Sequence, residues 1–303
     1  MAQKKEVKRA TKQIDASLNE PINKDAPPTI YGTNVKPELA NAVLNLSVDF
    51  LKQQQALANG FVMWHPKTWI SVLLAATLYL VSHATWPRNT RTVSGFVMQF
   101  VLMNQTVLLT FLIVVVLSTS MIFTLLSKFT EKMFQEKIDR VVQSDGDVVF
   151  DFGLTKLANG TLKDKSKLQN SQVIVYRETP IALVNIMENK AMSTKYSLVM
   201  GISTIGCRRV YIKSGIIEDL LDWALIRTKN IQNDSRQYQS DKPMKLLVDV
   251  YSFDKNLRET LAKKGFSLVK SYKLPESRLL GQIFGVRKEL WGVQFHYDAK
   301  KQK

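Results

Sequence analysis

The residue types that carry out covalent, metal or acid–base chemistry are thinly spread in this chain. Cys207 is the single cysteine, and the three histidines, His65, His83 and His296, stand far apart. No spacing among them matches a set of metal ligands. One cysteine makes neither an internal disulfide nor a zinc site of cysteines. Cys207, beside Gly206, reads as a small core residue, and this cysteine usage suits a cytosolic setting. Glu178, Glu188, Asp249 and Asp254 each stand singly, so no carboxylate pair offers general acid and base work. The residues point to no catalytic group, no metal and no cofactor.

Polar chemistry occurs instead in an unusual place. Asn104, Gln105 and Thr106, and further along Ser118, Thr119 and Ser120, fall within a charge-free stretch from Thr92 to Ser127. In lipid, such side chains seek hydrogen-bond partners on neighbouring helices. One reading makes these six residues contacts to another membrane protein, a client. The other has them satisfied inside the protein's own hairpin. Serine and threonine can also bond back to their own helix.

The elements that would position them are two apolar runs. Thr68 to Pro87 is free of charge, as is Thr92 to Ser127, and only Arg88 to Arg91 separates them. A membrane-crossing helix needs about 20 mostly apolar residues. The spacing predicts spans over about 68–87 and 102–126, joined as a hairpin that occupies 67–127. Lys52, Lys67, Lys128, Lys132, Lys137 and Arg140 flank the hairpin, against Arg88 and Arg91 in the connector. Positive charge marks the cytosolic side, so both termini are expected there. Trp64, Trp69 and Trp86 read as interfacial aromatics. The stretch MAQKKEVKRATKQ lacks the apolar core of a cleavable signal, which leaves targeting to the first span. Lys300 and Lys301 stand fourth and third from the end. They resemble a dilysine signal, which would return the protein to the endoplasmic reticulum through the COPI coat.

The net charge is +16, from 42 Lys and Arg against 26 Asp and Glu. No groove-reading motif accompanies it, and no strand interleaves basic and aromatic residues, which argues against a nucleic-acid partner. A basic domain against an anionic leaflet accounts for it better.

Residues 1–36 read as a disordered arm. Pro37 opens an amphipathic helix with Leu39, Val43, Leu46 and Phe50 on one face, stopped near Asn59-Gly60, in an interfacial segment 37–66. After a second amphipathic helix from Lys128 to about Gln143, strands are predicted at 148–154, 173–178, 181–187, 196–206, 245–251, 266–274 and 280–288. Helices are predicted from Ile216 to about Thr228 and from Asp254 to Lys264. That order gives an α+β cytosolic domain over 128–288 with a mixed sheet, followed by a basic tail, 289–303.

Three stretches of this domain, VIVYRETPIALVNIM, YIKSGIIEDLLDWALIR and VDVYSFDKNLRETLAKKGFSLVKSYKL, resemble the GNAT acetyltransferase fold. The resemblance implies that coenzyme A, if bound at all, would meet Lys213, Ser214, Gly215 and Ile216. The match is degenerate. Ile212 stands where the family has Arg or Gln, Ile217 replaces a second glycine, and Glu218 adds negative charge. Leu261 holds the place of the usual tyrosine acid, and Asp254 that of an asparagine.

Together with the arm NEPINKDAPPTIYGT, the hairpin and the dilysine-like end, the whole resembles the fungal endoplasmic-reticulum packaging chaperones of the high-affinity phosphate transporter. That resemblance implies a non-enzymatic, multi-pass protein of the endoplasmic-reticulum membrane that helps a polytopic phosphate transporter fold and leave in vesicles. Two rivals are a membrane-anchored N-acetyltransferase using acetyl coenzyme A and a membrane-shaping hairpin protein.

Overall fold

The computed structural model describes residues 29–88, 90–162, 164–194, 197–234, 243–274 and 276–295. Two compact units emerge. One combines the chain up to Gln55 with Met133 onward, and the other is Ala56–Lys132.

In the first unit a seven-stranded sheet has the order β1-β2-β3-β4-β5-β7-β6. Its strands are β1 (Ile30–Thr33), β2 (Ser171–Tyr176), β3 (Thr179–Glu188), β4 (Leu198–Cys207), β5 (Met244–Tyr251), β6 (Ser267–Lys273) and β7 (Arg287–Phe295). Among the described residues only β4 and β5 pair in parallel. A parallel pair needs a long crossover, and the helix Ile216–Asp234 supplies it. The β4–β5 pairing ends at Ile202 and Val248, although both strands continue. Their last residues therefore part.

Successive side chains of a strand face opposite ways, and both faces here are covered. Val173, Val175 and Leu183 meet Val43, Leu46 and Phe50 of helix α1 (Ala40–Met63), together with Val141, Phe150 and Leu154. Ile174, Val184 and Ile186 belong to the opposite core, with Leu220, Leu221 and Ala224 of the crossover helix. Asn185 is fully buried in β3. Its amide nitrogen donates to Val149 O at 2.6 Å and to Ser203 Oγ at 2.8 Å, while its oxygen accepts from Ser171 Oγ at 2.7 Å.

Several expectations need correction. Ile30–Thr33, placed in the disordered arm, pairs with β2 as an edge strand. Residues 148–154 are not a strand but parts of two short helices, Asp147–Phe150 and Leu154–Ala158. Asp151 between them lies in the left-handed region at φ 62°, and the Asp145 carboxylate accepts from Thr155 N at 2.6 Å and Thr155 Oγ1 at 2.7 Å. These local bonds defeat the alternation of the sequence. The last strand is Arg287–Phe295, after a π-helical turn at Leu279–Ile283, so the tail begins later than residue 289. The apolar pattern around Ile283 serves the turn instead. The crossover helix runs on to Asp234, beyond the end expected near Thr228. Lys300 and Lys301, and most of the arm, lie outside the described residues.

The second unit holds the end of α1, then α2 (Pro66–His83), α3 (Val93–Met103) and the first part of α4 (Gln105–Gln143). Helix α1 does not stop at Asn59-Gly60. Asn59 instead donates to Ser127 Oγ at 3.4 Å and accepts from Thr130 Oγ1. Helices α2 and α4 run antiparallel. Tyr79 Oη donates to Thr110 Oγ1 at 2.7 Å, and Trp69 meets Phe123 edge-on at 6.1 Å. Among the described residues, only α4 is long and apolar enough to cross a membrane. Helix α2 has 18 residues, about 27 Å at the usual helical rise, with Lys67 in its first turn and His83 in its last. Its Ile70, Leu73, Leu74, Leu78 and Val81 are all exposed.

Candidate functional site

The turn that would hold coenzyme A follows β4. Arg209–Tyr211 forms a short 3-10 turn, Gly215 adopts φ 83°, and the crossover helix, α5 (Ile216–Asp234), begins at Ile216. The positive φ explains the glycine. Ile212 and Ile217 are partly buried against the core, and Ile216 is buried. Their apolar side chains are spent on packing. Glu218 N donates to Gly215 O at 2.9 Å, and Glu218 and Asp219 fill the first turn. Carboxylates there complement the helix dipole and oppose an anionic ligand. The other two positions also have packing and capping roles. Leu261 is fully buried. Asp254 caps the helix Lys255–Lys263 by accepting from Leu257 N at 3.1 Å. Burial raises the Asp254 carboxyl above its ordinary range, against the effect of that bond.

A cavity of about 400 Å³ lies where β4 and β5 part. Its lining includes Phe50, Lys137, Arg140, Asp249, Tyr251 and Lys288. Lys288 pairs with Asp249 at 2.8 Å, and Lys137 pairs with Glu276 at 2.8 Å while also bonding Tyr251 Oη. Burial lowers the Lys137 ammonium from its usual value. Glu276 pulls it back, and Lys288 and Arg140 add to the lowering. Burial, with Glu276 adding to it, keeps the Tyr251 phenol protonated far beyond its ordinary range. Three cations against two paired carboxylates, Asp249 and Glu276, leave one net positive charge at the cavity. The sequence reading missed this cluster because its members come from four elements.

The six polar residues of the apolar unit divide. Asn104 is 1% exposed, between α3 and α4. Its oxygen accepts from Thr85 N at 2.8 Å and Thr85 Oγ1 at 3.0 Å, and its nitrogen donates to Thr85 O at 2.9 Å and Phe100 O at 2.8 Å. Its hydrogen-bonding capacity is thus used at home. Ser118 and Thr119 each donate to Val115 O, at 3.1 and 2.7 Å. Gln105, Thr106 and Ser120 are exposed.

Among the described residues, no group of His, Cys, Asp and Glu could hold a metal. A sequence comparison decides what the geometry leaves open: residues 12–295 match the family of inorganic phosphate transporter chaperones, Pho86. The chain belongs to the Pho86 family. No curated protein matches it. Solved structures similar to this Pho86 chain include acetyltransferases. Naa50 of Arabidopsis thaliana, solved with a bisubstrate analogue, is 12% identical, with TM-score 0.34, over 53% of this chain and 93% of its own. An acetyltransferase from Bacillus cereus is 17% identical, with TM-score 0.32, over 42% and 80%. A GNAT-family enzyme from Streptococcus pneumoniae is 9% identical, with TM-score 0.35, over 88% and 99%. Likeness at this level carries no argument about activity. The Pho86 match makes the chain a phosphate-transporter chaperone by family.

Proposed function

We propose that this Pho86 chain acts without catalysis in the endoplasmic-reticulum membrane, where it assists the folding and vesicle packaging of a polytopic phosphate transporter. The match over residues 12–295 carries this reading. In it, α2 and the apolar part of α4 are the two spans of a hairpin, and the exposed Ile70, Leu73, Leu74, Leu78 and Val81 face lipid or client. Both termini are cytosolic. Lys300 and Lys301 return the protein by way of the COPI coat. Gln105, Thr106 and Ser120 are the side chains left to meet the client, with Ser118 and Thr119 second to them.

Removing the protein should hold the transporter in the endoplasmic reticulum, and the transporter should co-purify with the chaperone in detergent. Normal export in its absence would sink the proposal. Lys300→Ser with Lys301→Ser should let the chaperone itself escape, as read by membrane fractionation. Asn159 and Asn233 begin glycosylation sequons, and a cytosolic domain leaves both bare. A glycan on either would reverse the topology.

One observation favours the rival reading of a membrane-anchored N-acetyltransferase: the cavity of about 400 Å³. The turn at Lys213–Ile216 does not support it. Calorimetry on the full chain should show no micromolar binding of acetyl coenzyme A, and such binding would revive the enzyme.

A further inference from the structure

The far ends of β4 and β5 are where the sheet unit hands the chain over. Gln53, two residues before that unit gives way at Gln55, donates from its amide to Cys207 O at 3.2 Å. Phe134, one residue after the unit resumes at Met133, meets the ring of Tyr251 edge-on at 5.8 Å. Cys207 ends β4 and Tyr251 ends β5. Gln53 and Phe134 therefore both pack at one end of the sheet. In sequence, Gln53 is also only eleven residues from Trp64.

This end carries a cationic segment. Arg208, Arg209 and Lys213 fall within six residues that contain no acid. Arg209 and Lys213 are exposed, and the Nε of Arg208 is buried without a hydrogen-bond partner. Val210 sits among them at 87% exposure, the highest of any large apolar side chain among the described residues. The ring of Tyr211 rests against Tyr176 at 6.2 Å, and Arg177 covers the Tyr176 ring at 5.4 Å. A further cation thus stands beside the segment, with Glu178 next to it. Glu218 and Asp219 follow five and six residues after Lys213, and Asp222 beyond them pairs with Lys264 at 2.6 Å.

A bare valine flanked in the chain by two arginines and a lysine suits one surface. Anionic headgroups take up the cations, and the boundary with the acyl chains takes up the valine. We propose that Arg208–Lys213 docks on an anionic lipid leaflet, with Val210 entering the headgroup layer. This rests on the membrane-spanning reading above. The docking holds the sheet unit against the membrane through Arg208, Arg209 and Lys213.

The test uses the full chain in lipid nanodiscs. Val210→Cys carries an environment-sensitive fluorophore, and Cys207, 1% exposed, stays unlabelled. In discs containing phosphatidylserine the emission should move to the blue relative to neutral phosphatidylcholine discs. The shift should fade at about 0.5 M salt, where the screening length falls to about 4 Å. Each cation near such a surface is worth about fivefold, so Arg209→Gln with Lys213→Gln should cut the docked-to-free ratio about thirtyfold. A label at Ile226→Cys, also exposed, should not shift. Equal emission in both kinds of disc overturns the docking, as does an equal shift at Ile226. Loss of the shift on adding millimolar inorganic phosphate assigns the segment to a soluble anion and overturns the lipid reading. Failure of the chain to enter discs overturns the spanning reading itself. Entry without a shift overturns the docking alone.

Discussion

The ring of Phe50 lies directly on Gly206. A Cβ at Gly206 would stand 2.7 Å from the Phe50 Cγ and 2.8 Å from both Cδ atoms. Helix α1 is seated on β4 by this contact and by the bond from Gln53 to Cys207 O.

Gly206→Ala should therefore lower stability. Overpacking a filled site costs about 1–3 kcal/mol. Thermal unfolding of the detergent-solubilised protein is the measurement, and Phe50→Leu in the same chain should recover part of the loss. An unchanged melting temperature for Gly206→Ala would show that the ring moves aside freely.

Asn185 is a second internal tie. Asn185→Leu leaves the buried Ser171 Oγ without its acceptor, which costs about 1–3 kcal/mol, while Ser203 Oγ keeps Val149 O at 2.7 Å. The variant should melt well below the parent. Asn185→Asp should fare little better, since it removes both donors and buries a charge.

Within the apolar unit, Asn104 and Gln105 should behave oppositely. Asn104→Leu breaks the tie to Thr85 and should weaken the unit by about 0.6–1.7 kcal/mol, read as earlier unfolding in graded detergent. Gln105→Leu should leave unfolding unchanged and reduce co-purification of the transporter. Were Gln105→Leu silent in co-purification, the client contact would lie elsewhere.

Cys207 supplies a pH test. Burial pushes its thiol up to about 11, from an ordinary value near 9.0. The folded state keeps the proton where the unfolded state loses it. Its contribution to stability is therefore full below pH 9 and is lost as the pH climbs towards 11. Cys207→Ala should flatten that part of the stability profile. In the native protein at pH 8 the thiol should react with a disulfide reagent only as fast as the chain opens.

Much of the sheet was legible in the sequence. VIVYRETPIALVNIM is a hairpin because Arg177 and Glu178 fill a two-residue turn at φ 47° and 64°, between strands of unmistakable apolar character. The crossover helix and KLLVDVY were equally plain, since their periods admit one reading. The turn at Ile212–Ile217 was read as altered from types alone, and the structure gives the reason in core packing.

Other features depended on partners far away in the chain. Ile30–Thr33 is a strand only because β2 offers an edge. The last strand begins at Arg287 and carries Gly292 because Leu247 and Val269 crowd that position, where a Cβ would meet them at 2.6 and 3.0 Å. Helix α1 passes through Asn59-Gly60, the local stop signal, because the Asn59 amide meets Ser127 and Thr130. The sequence named Asn104 as polar and apolar-bound, and the fold chose Thr85 as its partner. Periodicity and residue type are local and so are written in the chain itself. A hydrogen bond or a ring over a glycine is a meeting of distant segments, and only the folded backbone decides which ones meet.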